Sequence, residues 1–251
     1  MTALLRSTSL VGEMLAEVAQ CLAAYDQIPP GADVAVALSG GVDSWTMLAL
    51  LAELVRLNRL DARLSAIHIE LGHPGAAERL AMLSQGCRAA GVPLLVRHTS
   101  IGPAAVDEGG KRPCFLCARR RRQALFEMAR DHDLTHIATG HHRDDVLATF
   151  VLNLLENREL STLVPRQESF GGRFFLIRPL FAMPKERIDK LHRQQGFPVI
   201  ASGCPLDGTT RRADAERLLA SLEAQMPGAR DAVFAALHRV KPDFLPRKVD
   251  C

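Results

Sequence analysis

The chain predicts an α/β fold: a parallel-stranded sheet with helices on both faces, followed by a helical C-terminal extension. Two observations carry this expectation. Apolar segments of helical and strand character follow one another as α, β, α, β, α, β up to Val96. Two of the strands also end in glycine-bearing polar turns that open helices, at Ser39-Gly40-Gly41-Val42-Asp43-Ser44 and at Gly140-His141-His142-Arg143-Asp144-Asp145.

Ser9 to Tyr25 is the first helix, with Leu10, Met14, Leu15, Val18 and Leu22 at helical spacing, and Ile28-Pro29-Pro30-Gly31 stops it. Val34 to Leu38 is the first strand, and the helix after the glycine turn runs from Trp45 through Leu54. Leu64 to Ile69 is the second strand, ending at Glu70 and a turn at Gly72 to Gly75. A helix over 76–90 leads to a third strand, Val92 to Val96. Ser100 to Pro113, with Gly102, Pro103, Gly109 and Gly110, reads as a loop without helical or strand period. Cys114-Phe115-Leu116-Cys117 follows, and a helix then runs to about Asp133. Thr135 to Thr139 is the fourth strand, and Val146 to Leu155 continues as a helix. Asn157 to Gly172 reads as a polar connection, Arg173 to Leu180 as a fifth strand and exit, and Pro184 to Gln195 as a helix closed by Gly196. Two amphipathic helices, Arg211 to Glu223 and Ala229 to Arg239, precede a frayed end from Pro242 to Cys251. The domain expectation is a helical segment over 1–29, a nucleotide domain over 30–205 carrying a three-cysteine site, and a helical segment over 206–251.

With 251 residues, 47% hydrophobic and 24% charged, the composition is that of a soluble globular protein with a full core. A net charge of +3 excludes a polycation and shifts attention to local patches. No apolar run reaches membrane-spanning length, and Met1 to Leu15 lacks a signal-peptide layout, so the expected location is cytoplasmic with no membrane partner. Six scattered cysteines do not make a secreted disulfide scaffold; they read as core thiols or metal ligands. Cys21 and Cys87 fall in helices as core thiols.

The glycine turn between strand and helix is a phosphate cradle, because adjacent glycines let backbone N–H groups approach a ligand at the positive end of a helix. It has neither the Gly-Lys-Ser/Thr closure of a Walker loop nor the third glycine of a dinucleotide fingerprint. Without a lysine for the terminal phosphate, it suits chemistry at the α-phosphate with pyrophosphate as leaving group. An ordinary Gly/Ser-rich strand-to-helix turn is the plain alternative.

Cys114 and Cys117 place two sulfurs on one side of a turn, a spacing shared by redox dithiols, zinc sites and iron–sulfur sites. Cys204, in Ser202-Gly203-Cys204-Pro205, is the other cysteine set in a glycine turn. Three cysteines leave a metal centre with an open position. Lys111, Arg112 and the run Arg119, Arg120, Arg121, Arg122 surround the pair. They are expected to depress the thiol pKa and to offer a grip for a phosphate backbone, with at most two or three of the four consecutive arginines facing one ligand. The alternative is a solvated helix face.

The glycine loop, Cys114-x-x-Cys117-Ala118-Arg119, Gly140 to Asp145, Arg178-Pro179-Leu180 and Cys204 occur in the order of the tRNA 2-thiocytidine synthetase family. The resemblance is to that family of the PP-loop, or N-type, ATP pyrophosphatases, and it covers roughly residues 30 to 215. It implies an enzyme that adenylates the C2 carbonyl oxygen of a tRNA cytidine before sulfur displaces AMP. By the same resemblance, Cys114, Cys117 and Cys204 hold a 4Fe-4S cluster, Mg²⁺ accompanies ATP, and Asp43 joins the cysteines as a catalytic candidate. Ser39, Gly40, Gly41, Asp43, Ser44, His68, Gly140, His141 and Asp145 are the implied ATP-site residues, with metal or structural duty open for Asp144 and Asp145. Lys111, Arg112 and Arg119 to Arg122 are the RNA-binding candidates. A sulfur donor such as a cysteine desulfurase is implied as partner, and a homodimer is allowed. Three positions depart from the family pattern: Val42 stands where its loop has lysine, His68-Ile69-Glu70 replaces an Asn-x-Asp type ending, and Cys204 lacks a second nearby cysteine. Two other functions remain open: sulfur transfer to a small-molecule carbonyl, and a metal- or redox-sensing module on a nucleotide fold.

Overall fold

A computed structural model describes residues 5–110, 113–200, 203–206 and 211–245. They form two compact units, one from 1–143 and 164–210, the other from 144–163 and 211–251. Among the described residues, the first unit is built from α1 (Ser9–Ala24), β1 (Ala32–Ala37), α2 (Val42–Arg56), β2 (Ala62–Glu70), α3 (Ala76–Ala90), β3 (Leu94–His98), α4 (Ile101–Glu108), α5 (Pro113–Asp131) and β4 (His136–Ala138). After an excursion into the second unit it resumes with β5 (Arg166–Ser169), β6 (Phe174–Ile177) and α7 (Lys185–Gln195). Numbering the excursion's helix α6, Arg143–Leu152, keeps the chain order.

The sheet order is β3-β2-β1-β4-β6-β5, parallel except for β5, which pairs antiparallel with β6. Strand sequence reverses direction across the sheet between β1 and β4, where Val36 pairs with Ala138. A reversal of this kind opens a crevice at the carboxyl ends of the two strands, and both glycine turns leave from there. Alternation along the strands feeds two cores. Val34, Val36 and Ala66 join α1, α2 and α7 on one face through Met14, Leu48, Leu51 and Ile188. Ala35, Ile67 and Ile69 join α5 on the other through Phe126 and Met128. Each face of the sheet is therefore sealed by helices, which is why β1 can be apolar on both sides.

Two expectations are corrected. The segment after Ser100 is not a structureless loop: Ile101–Glu108 is helical, with Gly102 and Pro103 in the first turn. There the missing proline N–H would have had no intrahelical acceptor. Residues 157–172 are not wholly connection either, since Arg166–Ser169 forms an edge strand whose polar side chains gave no apolar alternation to detect.

In the second unit α6 passes into a π-helical turn, Asn153–Asn157, and packs with α8 (Arg211–Gln225) and α9 (Ala229–Leu237). Leu147, Ala148, Ala215 and Leu219 form its core, with Val233 and Phe234 against them. A short 3-10 turn, Pro242–Phe244, follows; Cys251 lies outside the described residues. No described helix is long and apolar enough to cross a membrane.

Candidate active site

The loop between β1 and α2 is held by its own serines. Ser44 Oγ donates to the Gly41 carbonyl at 2.9 Å and lies 3.2 Å from both the Ser39 amide and the Ser39 hydroxyl. Gly40 sits at φ +91°, a conformation that suits glycine, and a Cβ there would meet Ile200 at 3.3 Å. Gly41 caps α2 without any side-chain hydrogen bond, so the first-turn N–H groups of α2 receive no side-chain acceptor from their cap.

The second glycine turn closes on this loop. A Cβ on Gly140 would stand 3.2 Å from the Asp43 carbonyl carbon and the Ser44 nitrogen, so only a bare backbone lets β4 and α2 approach this closely. His141 Nδ1 lies 2.9 Å from the Thr139 hydroxyl, and the buried His142 brings Nε2 to 3.9 Å from Asp43. Asp144 and Asp145 belong to the second unit, where Asp144 meets Arg230 at 2.8 Å and Asp145 meets Arg212 at 2.5 Å.

Asp43 also makes an ion pair with Lys185 at the start of α7, and Lys185 reaches Asp189 at 3.2 Å. Burial works to lower the Lys185 pKa, but Asp43 and Asp189 outweigh it and raise the value. Lys185 drew no attention in the sequence because its partner lies 142 positions away.

His68 is turned inward. Its Nδ1 donates to the Leu38 carbonyl at 2.8 Å and its Nε2 lies 3.5 Å from Glu70, so the ring braces the end of β1 from beneath the loop. Glu70 is itself buried and paired with buried Arg79 at 2.7 Å, and it accepts the Gly72 amide at 3.1 Å. Burial alone would raise the Glu70 pKa; the hydrogen bonds from Arg79 and the Gly72 amide, with the Arg79 charge, hold it below its ordinary value. Arg79 donates onward to the carbonyls of Pro74 and His73. A Cβ on Gly203 would lie 3.1 Å from the Pro74 carbonyl oxygen and 3.3 Å from Arg79, so the turn carrying Cys204 rests on this network.

Cys114 and Cys117 are the second and fifth residues of α5, and α5 is tied to β3 by Arg97, which pairs with Glu127 at 2.9 Å and Asp131 at 2.5 Å. Cys114 is exposed; Cys117 and Cys204 are half-buried. The expectation of a depressed thiol pKa is corrected at Cys117. Burial pushes it up, Arg121 pulls it down without prevailing, and the neighbouring Cys204 and Cys114 push it further up. Both Cys114 and Cys204 therefore bear on the Cys117 thiol. Among the described residues no three acidic, histidine or cysteine side chains converge tightly enough to clamp a single ion. The donor set nevertheless fits a cluster, whose irons are distributed over a cube and take thiolate ligands from separate corners. Cys21 and Cys87 are buried apart from this site, and burial raises Cys87 to about 11.

Of the arginine run, Arg119, Arg121 and Arg122 are exposed, whereas Arg120 pairs with Glu108 at 2.6 Å. Lys111 and Arg112 lie outside the described residues. The two sites are joined by the chain between them. The Ile200 amide donates to the Gly40 carbonyl at 3.2 Å, and Cys204 follows Ile200 by four residues. That connection limits their Cα separation to about 14 Å. A cavity of about 430 Å³, lined by Cys21, Tyr25, Met183 and Arg187 among others, lies between α1 and the start of α7.

A doubly wound sheet whose switch point carries Ser-Gly-Gly-x-Asp-Ser defines a PP-loop protein, and the PP-loop domain model matches residues 14–201. A tRNA-cytidine(32) 2-sulfurtransferase of Cereibacter sphaeroides is 33% identical over 234 residues, covering 91% of this chain and 79% of the relative. One from Xanthomonas euvesicatoria is 34% identical over 232 residues, covering 91% and 75%. The chain belongs to the tRNA-cytidine(32) 2-sulfurtransferase family of PP-loop proteins. The fold is also similar to that of the U34-tRNA thiolase NcsA from Methanococcus maripaludis, solved with its 4Fe-4S cluster. The TM-score is 0.77 at 23% identity, over 92% of this chain and 79% of that one.

Proposed function

We propose that the protein is an ATP-dependent sulfurtransferase that converts a tRNA cytidine to 2-thiocytidine. The observation that supports this reading is the hydrogen bond from the Ile200 amide to the Gly40 carbonyl, four residues before Cys204 in the chain, which ties the segment leading to that cysteine to the phosphate cradle. Sulfur cannot displace a carbonyl oxygen directly, because oxide is a poor leaving group. Transfer of AMP from ATP to the C2 oxygen makes that oxygen part of a phosphate ester, which leaves readily as AMP.

In this reading the backbone of Ser39, Gly40 and Gly41 and the Ser44 hydroxyl hold the phosphates, and the α2 N-terminus stabilises their charge. Asp43 would be the carboxylate that holds the Mg²⁺ accompanying ATP, since such ions use one or two carboxylates together with phosphate oxygens. Gly140 and His141 border the nucleotide, while His68 holds the end of β1 in place. Asp144 and Asp145 act through their ion pairs with Arg230 and Arg212, in a structural role. Cys114, Cys117 and Cys204 would hold the 4Fe-4S cluster, which supplies an iron without a protein ligand as a place for sulfur. Arg119, Arg121 and Arg122 serve the tRNA backbone, and Lys111 and Arg112, just before the cysteine pair in sequence, are further candidates for it. A cysteine desulfurase as sulfur donor and a cytoplasmic location suit a reaction that needs reduced thiols and tRNA. Exposed Leu154, Leu155 and Leu160 support a homodimer, which sedimentation tests.

The test is anaerobic reconstitution with iron and sulfide, followed by ATP-dependent thiolation of bulk tRNA. The expected result is 2-thiocytidine in the nucleoside digest together with pyrophosphate release. Thiolation of a free base with none in tRNA would assign the small-molecule reaction instead. Iron binding without pyrophosphate release would assign a sensing module.

A further inference from the structure

The phosphate loop carries no cation of its own. From Ser39 to Ser44 its charged side chain is Asp43, an anion, placed where a polyanionic triphosphate has to bind. Val42, the first residue of α2, is packed partly into the core and contributes no charge. A cation at this point has to come from elsewhere in the fold. Lys185 is at the site: its ammonium is ion-paired to Asp43 from the first residue of α7, after crossing 142 positions of sequence.

We propose that Lys185 is the phosphate-binding cation of this loop, delivered from α7 in place of a lysine in the loop itself, and that it holds the pyrophosphate portion of ATP. The assignment rests on the adenylation reading above and adds to it a residue with a specific partner on the substrate.

Exposure separates this role from a purely structural one. The Lys185 and Asp43 side chains are 36% and 35% exposed, open enough for a ligand to reach both. Ion pairs this exposed contribute little to stability. The architecture around Lys185 also permits exchange. With a cation held at Asp43, the ammonium, a compact charge on a flexible stem, would be free to turn to the phosphate oxygens while Asp189 remains its neighbour at 3.2 Å. In the ligand-free protein the pair of Lys185 with Asp43 keeps the loop from carrying an unmatched carboxylate.

The experiment is calorimetric titration of the purified full-length chain with Mg·ATP, Mg·pyrophosphate and AMP, for wild type, Lys185→Met and Lys185→Arg. Lys185→Met should weaken Mg·ATP and Mg·pyrophosphate by about tenfold or more, the scale of one charge-assisted hydrogen bond, and leave AMP within about twofold. Lys185→Arg should recover most of the loss. Wild-type affinity for pyrophosphate in Lys185→Met would overturn the proposal, and so would an equal loss for AMP, which would mark Lys185 as a support for the loop alone. If Lys185→Met does not fold, as judged by its thermal transition, Lys185→Gln carries the same comparison. Should wild type bind neither ATP nor pyrophosphate, the adenylation reading falls together with this assignment; should wild type bind and the variants match it, the Lys185 assignment alone falls.

Discussion

Replacing Arg79 by methionine should destabilise the first unit severely, because it strands a buried carboxylate. Glu70 is 3% exposed and Arg79 is 7% exposed, and the two meet at 2.7 Å. Methionine roughly fills the stem volume, so the loss is mainly the guanidinium and its hydrogen bonds to Glu70, His73 and Pro74. Breaking a buried pair by removing one partner costs about 3–5 kcal/mol. For a protein of this size that corresponds to a fall in Tm of roughly 6–20 °C. Thermal unfolding followed by circular dichroism reads the shift directly. Changing both residues, Glu70→Gln with Arg79→Met, should recover at least half of it, since a neutral amide still accepts the Gly72 amide without stranding a charge. Because Gly203 rests against Arg79, the single variant should also bind less iron on reconstitution. A fall below about 1 kcal/mol, the scale of an exposed ion pair, would refute the reasoning and show that water reaches Glu70 in the folded protein.

Three further outcomes follow from the same geometry. Glu70 has a depressed folded pKa, so its contribution is fully present above the unfolded value of about 4.3 and is lost as pH falls through the folded value. Wild type should therefore lose stability relative to Glu70→Gln as pH falls below about 4.3, in steps of pH followed by urea unfolding, whereas parallel curves would contradict the pairing. Gly140→Ala puts a methyl 3.2 Å from the backbone at Asp43 and Ser44; the loop has to give, so Mg·ATP binding should weaken several-fold with about 1–3 kcal/mol of lost stability. Unchanged ATP affinity in a calorimetric titration would separate Gly140 from the nucleotide. Neutralising Arg119 and Arg121 together should reduce the slope of log K against log salt for tRNA binding by about 1–2, while Arg120→Gln, whose partner is Glu108, should change it less.

Local signals made much of the fold legible. The helix α3 was bounded in sequence because Gly75 and Gly91 bracket it, and the phosphate loop was legible because strand, glycines and helix are contiguous. Legibility failed where tertiary context overrides a local rule. Gly102 and Pro103 look like breakers, yet α4 accepts them in its first turn, and Gly102 is needed there because a Cβ would strike His73 at 2.4 Å. At Cys117 the sequence displays four arginines and hides the burial that prevails over them. Lys185 and Arg79 could not be read at all, because nothing local tells a surface lysine from one that meets Asp43, or an exposed helix arginine from one that is buried on Glu70.

The antiparallel strand β5 has a consequence of another kind. Parallel sheets end in a strand with a row of open N–H and C=O groups, a template on which a second chain can continue the ladder. Here the last rung is four residues long, Arg166-Gln167-Glu168-Ser169, entirely polar and charged, and Arg166 lies over the Phe175 ring at 4.2 Å. Adding another strand would require desolvating those charges for a very short run of hydrogen bonds. The hairpin thereby makes that edge of the sheet, as distinct from the β3 edge, a poor template for a further strand.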